Sequence, residues 1–155
     1  MAWWIVGGWF AVGGIGGAGA ATDAVSGRIP NRLTLIGIAS VALAAIVGAV
    51  ATSPVVVSHV AVGVVVGGSL FGVLFLAGQM GGGDLKLAGV LGGAAGLVSI
   101  SAALIVALGM CAVVSASGIL VAVRRGAKST MRLGPALFIG ALLGVIAWRQ
   151  HWFAV

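Results

Sequence analysis

The chain contains only two acidic side chains, Asp23 and Asp84, among its 155 residues. Two carboxyl groups a few ångströms apart cannot both ionise easily, so they share one proton between them. Such a pair suits peptide hydrolysis, because the ionised member can accept a proton from water while the protonated member polarises the scissile carbonyl group. This chemistry requires no metal ion and no cofactor, and we expect neither. The two aspartates are therefore the predicted catalytic residues.

The composition places these two residues in a membrane protein. Hydrophobic residues make up 61% of the chain and charged residues 6%, whereas a soluble domain carries about 25% charged residues. Because a helix satisfies its own backbone hydrogen bonds in lipid, the sequence predicts an all-α integral membrane protein. The 28 glycines fit this interpretation, since small residues let membrane helices approach closely.

The apolar segments predict a bundle of six transmembrane helices in a single domain over residues 1–155. We expect the spans at about residues 2–22, 33–51 and 55–78, then a short span from 85, and finally at 101–123 and 134–148. A span needs roughly 20 apolar residues, so the longer apolar stretch 85–123 must hide a reversal, which we place near 99–101. The first span ends in small residues like those before a signal-peptide cleavage site. No positive charge precedes it, so we expect it to be retained.

The basic residues predict the orientation of this bundle. Seven of them fall in the loops between spans one and two, three and four, and five and six: Arg28, Arg32, Lys86, Arg124, Arg125, Lys128 and Arg132. On the opposite side there is only Arg149. Since basic residues accumulate on the cytoplasmic side, we expect both termini outside and both aspartates at the cytoplasmic face of the plasma membrane. These seven residues, Arg149 and the two aspartates together give the net charge of +6, and we expect no nucleic-acid partner.

The ends of the predicted spans suggest which aspartate holds the shared proton. Asp23 follows the C-terminal end of span one, where the helix dipole disfavours a negative charge. Asp84 begins span four, where the dipole favours one. We therefore expect Asp84 to be the ionised base and Asp23 to carry the proton. The glycines at 81–83 would let an extended peptide approach the backbone closely.

Both aspartates lie in segments that resemble the signatures of the type IV prepilin peptidases. The first signature is matched by Asp23, Arg28, Ile29, Pro30 and Asn31. The second, a GxGD motif followed by a lysine, is matched by Gly81, Gly82, Gly83, Asp84, Leu85, Lys86 and Leu87. The pair Gly134-Pro135 before the last span is a weaker match.

The resemblance implies an intramembrane aspartyl protease that cleaves the short basic leader of prepilin or pseudopilin subunits. In the family the cut follows a glycine, just before the substrate's hydrophobic helix, at the cytoplasmic membrane face. The implied catalytic pair is Asp23 and Asp84. The implied residues of substrate binding or motif support are Gly81, Gly83, Lys86, Arg28, Pro30 and Asn31. The implied partners are the substrate leader with its N-terminal helix and the lipid bilayer.

The chain differs from the long members of that family. Long members carry an N-terminal cytoplasmic extension, often with four zinc-binding cysteines, whereas this sequence has only Cys111 and no such segment. The second activity of long members, methylation of the new N-terminus with S-adenosylmethionine, is therefore left open. Short members are often associated with Flp-type pili, which is the context that we expect.

Other functions remain open at this point. Two intramembrane acids could serve a small proton- or cation-coupled transporter, and the chain could also be a catalytically idle partner in pilus assembly. Lys86 could be a snorkelling cytoplasmic lysine instead of a motif residue. Arg28 and Arg32 could be simple markers of topology, and His59 lies near the outer end of span three, where we expect a packing role.

Overall fold

A computed structural model describes residues 3–78, 80–125 and 133–153 of the chain. Within these ranges the regular structure is entirely helical, which confirms the all-α prediction. The six helices described are α1 (Trp3–Ser26), α2 (Asn31–Ala51), α3 (Val55–Leu76), α4 (Gly82–Gly96), α5 (Ile100–Arg125) and α6 (Gly134–Phe153). The predicted basic residues Lys128 and Arg132 lie outside the described residues.

Three of the described helices are long and apolar enough to cross a membrane. They are Asn31–Ala51, Val55–Leu76 and the part of α5 from Ile100 to Val121, while Gly134–Gln150 forms a shorter apolar helix. Large apolar side chains on these helices point outward, with Val50 86% and Leu76 85% exposed. An outer surface of this kind is stable against lipid and unfavourable in water. The structure therefore describes a membrane protein.

Helix α4 lies at the centre of the structure. It has only 15 residues, and all of them from Leu87 to Gly96 are buried. The other five helices all pack against it. Its closest neighbour is α3. A Cβ atom added at Gly63 would overlap the carbonyl oxygen of Gly92, and one added at Gly67 would lie 2.5 Å from the carbonyl oxygen of Ala88. The glycines thus bring the two backbones into direct contact.

Helix α6 is fixed by similar contacts on two sides. A Cβ at Gly140 would lie 2.5 Å from the Cα of Met110 on α5, so these two helices also touch through their backbones. On the other side, the ring of Phe138 lies against α1, where a Cβ at Gly16 would come within 2.9 Å of it. These contacts set the position of α6 relative to both neighbours.

The connections follow the predicted breaks, with one difference. Pro30 is extended and α2 begins directly after it, and the chain reverses between Gly96 and Ile100 as predicted. However, α1 continues to Ser26, so Asp23 lies inside its last turns and not in a loop after it. Gly27 follows the helix with a positive φ of 67°, the left-handed conformation that commonly ends a helix.

The contact between α3 and α4 gives a first prediction. Gly63 and Gly68 lie on opposite faces of α3, and a Cβ at Gly68 would meet no atom within 4 Å. We expect Gly63→Ala to lower the free energy of unfolding by about 1–3 kcal/mol, because the added methyl group forces the helices apart. Gly68→Ala is the matched control and should melt like the unchanged protein. Equal melting temperatures of the two variants in lipid nanodiscs would contradict this packing.

Candidate active site

Helices α1 and α4 run antiparallel and touch through glycines of α1. A Cβ at Gly16 would lie 3.4 Å from Leu91 Cδ2, and a Cβ at Gly19 would lie 3.8 Å from Leu87 Cδ1. Moving three residues toward the C-terminus of α1, from Gly16 to Gly19, therefore moves the contact four residues toward the N-terminus of α4, from Leu91 to Leu87. The C-terminal end of α1 therefore meets the N-terminal end of α4.

Both aspartates lie one helical turn beyond this contact. Asp23 follows Gly19 by four residues and Asp84 precedes Leu87 by three, and about 3.6 residues make one turn. Antiparallel packing therefore brings the two carboxyl groups to the same end of the α1–α4 pair. The two sequence segments that were expected to form one site are indeed neighbours at this end of the bundle.

The environment of Asp84 favours its protonated form. Its side chain is half-buried, and among the described residues its buried Oδ1 atom has no hydrogen-bond partner. Burial, and after it the negative charge of Asp23, raise the pKa of Asp84 from 3.8 to about 6 against the opposing effect of a backbone hydrogen bond from Gly81. A charge on Asp23 that affects Asp84 in this way requires the two groups to be close.

Asp23 has a different environment. It is only 4% exposed, and its Oδ2 atom accepts a hydrogen bond of 3.0 Å from the backbone N–H of Gly134, the first residue of α6. A helix N-terminus stabilises a negative charge, so this contact favours the ionised form of Asp23. Together, the two environments favour a proton on Asp84.

This is the reverse of the proton assignment expected from the sequence. That expectation considered only the helix to which each aspartate belongs, and it missed the N-terminus of α6 beside Asp23. Gly134 is thus a site residue that the sequence analysis noted only as part of a weak Gly134-Pro135 match. The Gly134-Pro135 sequence indicated that a helix begins there, but it did not indicate that the N-terminus of this helix would contact Asp23.

The segment around Pro30 packs against the first turn of α4. A Cβ at Gly83 would lie 3.0 Å from Cβ of Ile29, so a larger residue at position 83 would push the two segments apart. Lys86 Nζ donates a hydrogen bond of 3.1 Å to Asn31 Oδ1 on the protein surface. The two predicted motifs therefore form one continuous structure around the aspartates.

The remaining predicted site residues lie at the edge of this structure. Gly81 borders Asp84, since a Cβ there would lie 3.3 Å from Asp84 Oδ2. Arg28 is exposed, and within the described part of the chain it forms no ion pair with either aspartate. No three His, Cys, Asp or Glu side chains among the described residues come together as possible metal ligands.

The two aspartates can perform acid–base chemistry on a bond that is placed between or beside their carboxyl groups. They combine a carboxyl group that favours its proton with a carboxylate held by a hydrogen-bond donor.

A comparison with models of protein families found one described as the type IV leader peptidase family, which matches residues 10–148 and so includes both aspartates. Comparisons with curated proteins and with solved structures found no significant match.

The raised pKa of Asp84 predicts how stability depends on pH. The folded chain keeps the Asp84 proton up to about pH 6, whereas the unfolded chain releases it near 3.8. The folded state therefore binds more protons between these values, so stability should fall as the pH rises through this interval. We expect the melting temperature of Asp84→Asn to depend less on pH there and to exceed that of the unchanged protein at pH 7. An equally steep fall in both proteins would show that Asp84 has no raised pKa.

Proposed function

Since the chain belongs to the type IV leader peptidase family, we propose that Asp23 and Asp84 are the catalytic pair of an intramembrane aspartyl endopeptidase. The observation that carries the proposal is the position of the chain's only two acidic residues at the same end of the α1–α4 pair. The proposed substrates are type IV prepilins or pseudopilins, cut after a glycine at the end of their short basic leader. A Flp-type pilus system is the proposed context.

Hydrolysis proceeds in two steps that leave the pair unchanged. Ionised Asp23 takes a proton from water as the water oxygen bonds to the scissile carbonyl carbon, and Asp84 gives its proton to the carbonyl oxygen. The resulting diol then loses one hydroxyl proton to Asp84, while Asp23 protonates the leaving nitrogen and the C–N bond breaks. The products are a carboxylic acid and a new N-terminal amine, with Asp23 ionised and Asp84 protonated again.

The glycines before Asp84 suit a peptide in an extended conformation. Gly81 is exposed, and Gly82 and Gly83 are partly exposed, so their backbones are accessible beside the carboxyl groups. An extended substrate can add hydrogen bonds to an accessible backbone, and the absence of side chains allows it to come close. In this proposal Arg28, Pro30, Asn31 and Lys86 support the motif, and the hydrogen bond between Lys86 and Asn31 keeps its two halves together.

We further propose a multi-pass domain in the plasma membrane with six spans, both termini outside and the aspartates facing the cytoplasm. The basic residues Arg28, Arg32 and Lys86 lie near the aspartates in sequence, and accumulated positive charge marks the cytoplasmic side. At the other end of α4, Gly96 touches the His59 backbone near the start of α3, so the α2–α3 and α4–α5 connections lie away from the aspartates. Transport, the alternative function, has no support from the family comparison.

Cleavage of a prepilin tests the catalytic pair. Co-expression with a panel of tagged prepilins, Flp-type members included, should yield a shorter product with the new N-terminus after the leader glycine. We expect Asp23→Asn and Asp84→Asn each to reduce the rate by at least about a hundredfold, since each removes one proton-transfer group. Ser58→Ala is the control, because among the described residues this exposed side chain bonds only the Val55 carbonyl in its own helix. Cleavage that persists in either asparagine variant, or no cleavage of any prepilin, would falsify the proposal.

Cysteine labelling tests the orientation. With Cys111 replaced by serine, single cysteines are introduced as Ser26→Cys, beside the aspartates, and Thr52→Cys, in the α2–α3 connection; both positions are exposed. A membrane-impermeant maleimide added to intact cells should label only the cysteine at 52, and the pattern should invert in inside-out vesicles. The opposite result would place the aspartates on the outer face.

A further inference from the structure

We propose that Gly134 is a positioning residue, whose backbone N–H holds the carboxylate of Asp23 ionised and oriented as the general base. The inference rests on the proposed function and extends it to α6, a helix that carries neither aspartate. It assigns a role to an atom of the main chain, which no substitution of a catalytic side chain would reveal.

The hydrogen bond itself gives the first argument. Asp23 is nearly inaccessible to solvent, and the bond of 3.0 Å from Gly134 is buried. Among the described residues it is the one hydrogen bond that the Asp23 carboxylate accepts. A buried carboxylate needs donors, and a donor bonds the ionised form more strongly than the neutral form. The Oδ1 atom of Asp84, by contrast, is buried with no such donor among the described residues.

The absence of a side chain at position 134 gives the second argument. A Cβ there would lie 2.9 Å from Asp23 Cβ, closer than real Cβ atoms approach, and 3.0 Å from Asp23 Oδ2, which is a tight contact. The backbone does not demand glycine, because the positive-φ glycines of the described chain are Gly27 and Gly78. The contact with Asp23 is therefore the reason that position 134 has no room for a side chain.

The position of α6 gives the third argument. Phe138 lies one turn after Gly134 and packs on Gly16 and Gly17 of α1, the helix that carries Asp23. This contact fixes the height of α6 along α1, and the α5–α6 contact at Gly140 holds α6 from the other side. The donor is thus held in place before substrate binds, as a preorganised group must be.

Replacing the single N–H tests the role without changing the side chain. Cell-free synthesis into nanodiscs with glycolic acid at position 134 converts the amide into an ester, which removes the donor and also weakens the Leu133 carbonyl that accepts a hydrogen bond from Leu137 N–H. We expect kcat for a prepilin to fall about ten- to a hundredfold with KM unchanged. The acidic limb of the pH–rate profile should move to higher pH, because the ionised form of the base loses its donor. Gly134→Ala, which displaces the carboxylate, should also lower kcat.

Two controls separate this role from a purely structural one. The same ester exchange at Ile100, the first residue of α5 at the opposite end of α4, should leave kcat and the profile unchanged. Gly96→Ala disturbs the contact of α4 with the His59 backbone at the end of α4 away from the aspartates, so it should lower the melting temperature while the acidic limb stays in place. An ester variant at 134 with an unchanged rate and profile overturns the proposal.

Infrared spectroscopy provides a test that does not depend on the folding of the ester variant. At about pH 5, below the pKa of Asp84, the protonated-carboxyl band should disappear in Asp84→Asn and persist in Asp23→Asn. The reverse pattern overturns the assignment of Asp23 as the base. Failure of the proposed function looks different, since the unchanged protein would then cleave no prepilin.

Discussion

The burial of α4 is the constraint on which the geometry of the aspartate pair depends. A helix of 15 residues surrounded by five others can be accommodated only if its neighbours come very close, and glycines on both sides of the α3–α4 contact allow this. The same close packing against α1 aligns Asp84 with Asp23. Because α4 is buried from Leu87 onward, only its first turn, with Asp84 and Lys86, remains accessible. The proposed chemistry is thereby restricted to one end of the bundle.

Burial alone does not explain how the two carboxyl groups differ. Asp23 is the more buried of the two, so desolvation by itself would favour a proton there. The hydrogen bond from Gly134 opposes this effect, while Asp84 has one buried oxygen without a donor among the described residues. The donor at Gly134 beside Asp23, together with the burial that raises the pKa of Asp84 despite its own backbone donor at Gly81, therefore distinguishes the proposed base from the proposed acid. The Gly134 donor belongs to a third helix, so the proposed roles of the two aspartates require α1, α4 and α6 to be assembled.

The features that sequence predicts here are those encoded locally. Long apolar runs predicted the helices, Pro30 predicted the start of α2, and the excessive length of 85–123 predicted the reversal before Ile100. That the two aspartates lie close together was a hypothesis based on their rarity and on the motifs around them, and the predicted topology permitted it without requiring it. The contact of Gly134 with Asp23 was not predicted, because it joins residues that are distant in sequence. Likewise, the number of glycines indicated close packing but did not identify the facing pairs, which depend on the angle and register of each helix.

A short buried helix also suits the kind of bond that is proposed to be cut. Within a substrate helix every carbonyl is hydrogen-bonded, so hydrolysis there would first require unwinding in lipid, where unpaired backbone groups are costly. The proposed cleavage site precedes the substrate's hydrophobic helix, and its carbonyls are free to pair elsewhere. The accessible glycine backbone beside Asp84 lies at the end of the bundle, where such a segment can be extended without unwinding the helix that follows. The position of the carboxyl groups at the end of the bundle thus matches a proposed scissile bond that lies just outside the substrate helix.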